Sequence, residues 1–138
     1  MQKVEIDIKG KLLFSVSLAV RITDINYGNH TGNDKLAGLL HEARVQWLKS
    51  INCSELNVFG TSLIMRDLTI RFISESFYGD ILKIDIHADN ISNVGFDIYY
   101  NISAENKSIS KARTGMVCYD YNLKKIAGIP PQFKELLT

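Results

Sequence analysis

"RITDINYGNHTGND", Arg21 to Asp34, decides how the chain is read. Asp24, Asn26, Asn29, His30, Asn33 and Asp34 crowd into it, directly after an apolar strand pattern and directly before the main helical pattern. Downstream, Leu36, Leu40, Ala43 and Trp47 recur at helical spacing with Leu39 beside them, which predicts an amphipathic helix of about four turns. Thr31 or Asn33 can cap it, Gly32 lets the chain turn, and Asp34 sets a carboxylate in the first turn, where the helix dipole favours it. Upstream, Leu12, Phe14, Val16, Leu18, Val20 and Ile22 alternate along one strand face, and before Gly10 the residues Val4, Ile6 and Ile8 alternate in the same way.

Beyond the helix the pattern has period two. Four strands are predicted: Leu63 to Ser74, Ile81 to Asp89, Val94 to Ser103 and Ser108 to Tyr121. Leu82, Ile84, Ile86 and Ala88 form the inner face of the second, and Val94, Phe96, Ile98, Tyr100 and Ile102 that of the third. "SFYGD" (Ser76 to Asp80) and "AENKS" (Ala104 to Ser108) have hairpin length, so the strands they join are expected to pair antiparallel. The tail "IPPQFKELLT" adds a short helical turn after Pro131.

The predicted fold class is α+β: a curved antiparallel sheet of about five to six strands wrapped around one long central helix. A single domain over residues 1–138 is expected, since the length and a hydrophobic content of 46% suffice for one core. Such a sheet leaves edge strands, which a symmetric partner commonly completes; a homodimer or a dimer-based tetramer follows.

Sixteen Lys+Arg against fifteen Asp+Glu, with no basic block, argue against a nucleic-acid partner. The alternating "MQKVEIDIKG" lacks the apolar core of a signal peptide, and no run is long and apolar enough to span a bilayer, so a cytoplasmic protein with no membrane partner is expected. Cys53 and Cys118 have no metal or redox spacing and read as free thiols; no metal site is expected.

The order "VRITDINYGNHTGND", "LLHEARVQWL", "DLTIRFISESFYGDILKIDI" resembles the hotdog-fold acyl-CoA thioesterases of the 4-hydroxybenzoyl-CoA thioesterase-like type, from about Ser15 to Phe133. The resemblance implies a hotdog fold, a dimer with active sites at the subunit interface, and hydrolysis of an acyl-CoA thioester without a metal or separate cofactor. It also implies a catalytic carboxylate at the second position of an Asp-x-Asp pair. Here that pair is Asp24 and Asn26, and an amide cannot act as base or nucleophile.

Thioester hydrolysis needs an oxyanion site and a base. The backbone N–H groups of Asn33 and Asp34 at the helix start suit the first role. For the second, another branch of these thioesterases carries its carboxylate a little over two turns into the helix, which points to Glu42; its alternative is pairing with Lys49, Gln46 or Lys35. Asp24 is the next candidate, or else a turn carboxylate bonded to backbone. His30 has the chemistry for proton transfer, and Asn26 for orienting thioester or water. Tyr27 and Asn29 are candidates for the pocket wall, and Lys111 and Arg113, on one face of the last strand, for the CoA phosphates. The order Asp24, Asn26, His30 also comes near that of hotdog enoyl-CoA hydratases, with His30 one residue late; a non-catalytic acyl-CoA binding protein is the third reading.

Overall fold

The computed structural model describes residues 2–138. Six strands and two helices follow in the order β1 (Lys11–Ala19), α1 (Asn33–Ser50), β2 (Ser62–Phe72), β3 (Ile81–Asp89), β4 (Gly95–Ala104), β5 (Lys107–Asp120), β6 (Lys125–Ile126) and α2 (Pro131–Leu137). The strands form one antiparallel sheet in the order β1-β3-β4-β5-β2, with β6 pairing the end of β5. No helix among the described residues is long and apolar enough to cross a membrane.

The alternation in β3 sorts as its period requires: Leu82, Ile84, Ile86 and Ala88 are buried. In β4, Phe96, Ile98, Tyr100 and Ile102 are buried, whereas Val94 lies before the strand and is partly exposed. Against this inner face α1, 18 residues and about 27 Å long, lays Leu36, Leu39, Leu40, Ala43, Trp47 and Leu48. α2 closes the core beside it, with the fully buried Phe133 6.0 Å from the Trp47 ring and 5.4 Å from that of Phe96.

"AENKS" is a hairpin turn. Glu105 and Asn106 both hold positive φ, 50° and 65°, as a two-residue turn between twisted strands demands, and Ala104 faces Lys107. "SFYGD" is not one. It joins β2 to β3, which do not pair: β2 lies against β5 at one edge of the sheet, and β3 between β1 and β4. Its Gly79 and Asp80 are laced to the end of β1, where Gly79 N–H donates to the Val20 carbonyl and Val20 N–H to that of Asp80.

The first expected strand is also absent. Residues 2–9 form no strand; Ile6 is buried and Glu5 makes an ion pair with Arg71 on β2. β1 ends at Ala19, so Ile22 leaves the strand face and stands 67% exposed in a 3-10 turn spanning Ile22–Asp24.

Candidate active site

The polar segment folds into a tight loop built on its own side chains. Asp24, 2% exposed, accepts from the Arg21 backbone N–H at 2.8 Å and from the Arg21 guanidinium at 3.2 Å through each oxygen. Its carbonyl receives Gly32 N–H at 2.9 Å. Asn26 closes the next turn, its side-chain oxygen accepting from Gly28 N–H at 2.9 Å and His30 N–H at 3.4 Å. A Cβ on Gly28 would lie 3.0 Å from the His30 ring, so glycine there gives the imidazole its room. Asn29 adopts φ 63°, and Tyr27 is fully exposed.

Neither expected cap residue caps the helix. Thr31 turns instead to Ser76, giving N–H and Oγ1 to the Ser76 carbonyl and receiving Ser76 Oγ at 2.7 Å, while Asn33 is already the first helical residue. Gly32 occupies the cap position with no side-chain bond. Leu36 is the first to donate back along the helix, to Gly32, so the N–H groups of Asn33, Asp34 and Lys35 are open among the described residues. A helix start in this state presents about +0.5 of a charge and unpaired donors to whatever faces it.

A groove of about 650 Å³ runs between the end of β1 and α1, lined by Arg21, Asp24, Asp34, Lys35, Gly38 and Glu42 among others. Asp34, Gly38 and Glu42 stand four residues apart along one ridge of the helix. Glu42 is exposed, and its carboxylate accepts from Gln46 Nε2 at 2.9 Å. It also lies near enough to Arg21 to help raise the pKa of that guanidinium, behind the larger contributions of the hydrogen bond and charge of Asp24.

The remaining candidates lie elsewhere. His30 and Asn33 line a separate hollow of about 280 Å³ on the other side of the helix start, with Phe72, Ile73 and Glu75. There His30 Nδ1 is 3.2 Å from the Thr31 carbonyl and Nε2 is 3.8 Å from Glu75. Asp24 thus lines the groove of Glu42 and His30 the separate hollow, with Asn26 engaged in the loop between them. Arg113 is committed to Asp67 and Asp97, 3.0 Å from each, whereas Lys111 makes no ion pair among the described residues.

Asp24 is a poor base in this setting. Burial pushes its carboxyl upward, but hydrogen bonds and charge from Arg21, with help from Lys35, outweigh burial and hold it below the ordinary range. A depressed carboxyl stabilises the fold above its unfolded value of about 4, and that contribution is lost as pH falls through the lower folded value. Arg21 is 69% exposed, so water screens the charge and the backbone N–H bond carries much of the effect. Asp24→Asn is expected to cost about 2 kcal/mol at pH 7 and less at about pH 3, read by urea unfolding at both values. An equal cost at the two pH values would refute the carboxylate's part.

A second polar chain was not foreseen from the sequence. Arg44, 5% exposed, donates Nη1 to Tyr100 Oη at 3.0 Å and Nε to Glu55 at 3.4 Å. Tyr100 Oη shares a hydrogen with Thr114 Oγ1 at 2.9 Å, and His41 Nε2 meets the other Glu55 oxygen at 2.6 Å. The signal was the position of Arg44, inside the stripe formed by Leu40, Ala43, Trp47 and Leu48, where a charge requires a partner.

Comparison with known proteins places these features in context. A sequence family described as the thioesterase-like superfamily matches residues 20–137. No curated protein matches. Among solved structures, a 1,4-dihydroxy-2-naphthoyl-CoA thioesterase from Synechocystis superposes with a TM-score of 0.81 at 22% identity, over 90% of this chain and 94% of that one. A hypothetical protein from Aquifex aeolicus gives 0.82 at 19% identity, over 91% and 99%. A predicted thioesterase from Bacillus stearothermophilus gives 0.80 at 16% identity, over 90% and 92%. At these identities what is shared is the fold.

Proposed function

The chain belongs to the thioesterase-like superfamily, and from that premise we propose that it hydrolyses an acyl-CoA thioester to the free acid and CoA, with Glu42 as general base. The observation that carries this reading is that Glu42 and the open first turn of α1, through Asp34 and Lys35, line one groove. Eight residues set Glu42 about 12 Å along the axis from Asp34. Helix side chains lean toward the N-terminus, which narrows the gap to room for a thioester and a water.

In this arrangement Glu42 takes a proton from water as its oxygen adds to the carbonyl carbon. The oxyanion that forms is held by the helix N–H groups. Collapse breaks the carbon–sulfur bond, and the thiolate of CoA leaves with the proton returned by Glu42. The chemistry is complete without a metal or a further cofactor.

Two edge strands, β1 and β2, offer unpaired backbone groups, and the middle of β2, at Arg66, Asp67 and Leu68, is exposed. We read the working form as a homodimer completed along such an edge, and the protein as cytoplasmic. The fitting test is thiol release from short, long and aromatic acyl-CoAs by the purified protein, with Asn33→Pro beside it. Proline is tolerated at a first helical position, and Gly32, at φ −68° and ψ 148°, already has the extended form a residue before proline needs. The variant removes one donor and keeps the helix. A fall in kcat of only about threefold is expected, because Asn33 borders the separate hollow and the N–H groups of Asp34 and Lys35, which line the groove, remain. Binding of acyl-CoA without release from any member of the panel would make this a binding protein instead.

A further inference from the structure

A second groove, of about 560 Å³, lies on the far side of α1 and is lined by Leu56, Leu63, Met65, Leu68 and Tyr121 together with His41 and Gly38. Gly38 also lines the groove of Glu42 and Asp34, so the two spaces meet at this residue. It sits mid-helix, exposed, in the ridge Asp34–Gly38–Glu42, where a missing side chain makes a saddle between two carboxylates. The fold does not ask for glycine there. A Cβ at Gly38 would meet nothing within 4 Å, and glycine weakens a helix interior relative to alanine. Beside it His41 is held to Glu55, which Arg44 holds in turn.

We propose that Gly38 sets the acyl specificity: the acyl group of the substrate crosses the helix over Gly38 and lodges its far end among Leu56, Leu63 and Met65. The assignment rests on the acyl-CoA reading and names its substrate class, apolar acyl groups of about eight carbons or more, the length that crosses a helix some 10 Å wide. The occupant follows from the continuity of this apolar groove with the groove of Glu42, and from a gap in the helix ridge that packing within the chain does not use. The Glu55 carboxylate beside the groove is already matched by Arg44, so the site asks for an uncharged chain end.

Binding of two stable probes tests it without turnover: the S-dodecyl and S-ethyl thioethers of CoA, measured by calorimetry on the intact protein. Gly38→Val fills the saddle. It is expected to raise Kd for the dodecyl probe at least about tenfold more than for the ethyl probe, the change that excluding two methylenes from the groove produces. Leu56→Asp, at a position 75% exposed in the same groove but outside the helix, should shift selectivity in the same direction. Gly38→Ala should raise Tm by about 4 °C, since the helix gains and nothing clashes. Equal changes for both probes, or no binding of either by the parent protein, would overturn the proposal. So would a changed mass in light scattering for Gly38→Val with probe selectivity intact, which would assign the glycine to contact between copies. Selective binding with no CoA released from any acyl-CoA would leave the saddle standing and remove hydrolysis alone.

Discussion

Glu42→Gln is expected to lower kcat for CoA release by at least about a hundredfold, the low end for loss of a general base. The side chain is exposed and its fixed contact is Gln46, which a glutamine can still engage, so the fold should be untouched. Asp24→Asn should behave in the opposite way, losing stability with little change in kcat, because the Asp24 oxygens are bonded to Arg21. Steady-state kinetics with one acyl-CoA, beside urea unfolding of both variants, separates the two. A Glu42→Gln enzyme within a few-fold of the parent would remove Glu42 from the chemistry; a silent Asp24→Asn enzyme of normal stability would transfer the role to Asp24.

The largest loss of stability is expected from Arg44→Leu, at about 3 kcal/mol. Leucine fills the space within the apolar stripe but leaves Glu55 without its cation and takes the guanidinium donor from Tyr100. Burial pushes the Tyr100 hydroxyl above its usual pKa, so it remains a neutral phenol that depends on hydrogen bonds, and Thr114 becomes its one remaining partner. Arg44→Lys keeps a charge but not the fork that reaches both groups, and should lose less. The double variant with Glu55→Gln should lose less than the two single variants together, since they break one contact twice. Urea midpoints of the four proteins decide this, and a cost for Arg44→Leu below about 1 kcal/mol would deny the chain of bonds its weight.

Arg44 also shows what a sequence conceals. Its place on the helix stripe was visible, but Glu55 and Tyr100 lie eleven and 56 residues away, and only the fold brings them to it. Period two was a sufficient guide for β3 and β4, whose neighbours on both sides turn one face inward. The same period misled at Val4, Ile6 and Ile8, because alternation makes a strand only where another strand stands ready to pair. "SFYGD" misled for a related reason: glycine and a turn carboxylate announce that the chain reverses, not which strand it meets afterward. Within the site, the helix start within the polar segment was legible from Gly32 and Asp34. The backbone half of Asp24's commitment was legible too, as a turn carboxylate bonded to N–H groups, but the Arg21 guanidinium that joins it was not.

The crossing made by "SFYGD" also bears on how tightly the site is tied to the rest of the fold. β3, β4 and β5 follow one another in sequence and lie side by side, so the centre of the sheet closes short loops. Ala19 and Ile81, which face each other where β1 meets β3, are separated by all of α1 and β2. Closing a longer loop takes more entropy, and contacts spanning it are the weaker partners in the cooperative whole. The groove of Glu42 has one wall on β1, an edge strand held by such contacts. A local opening can therefore undo the groove while the central strands stay paired, so under the proposed function less free energy guards activity than guards the fold.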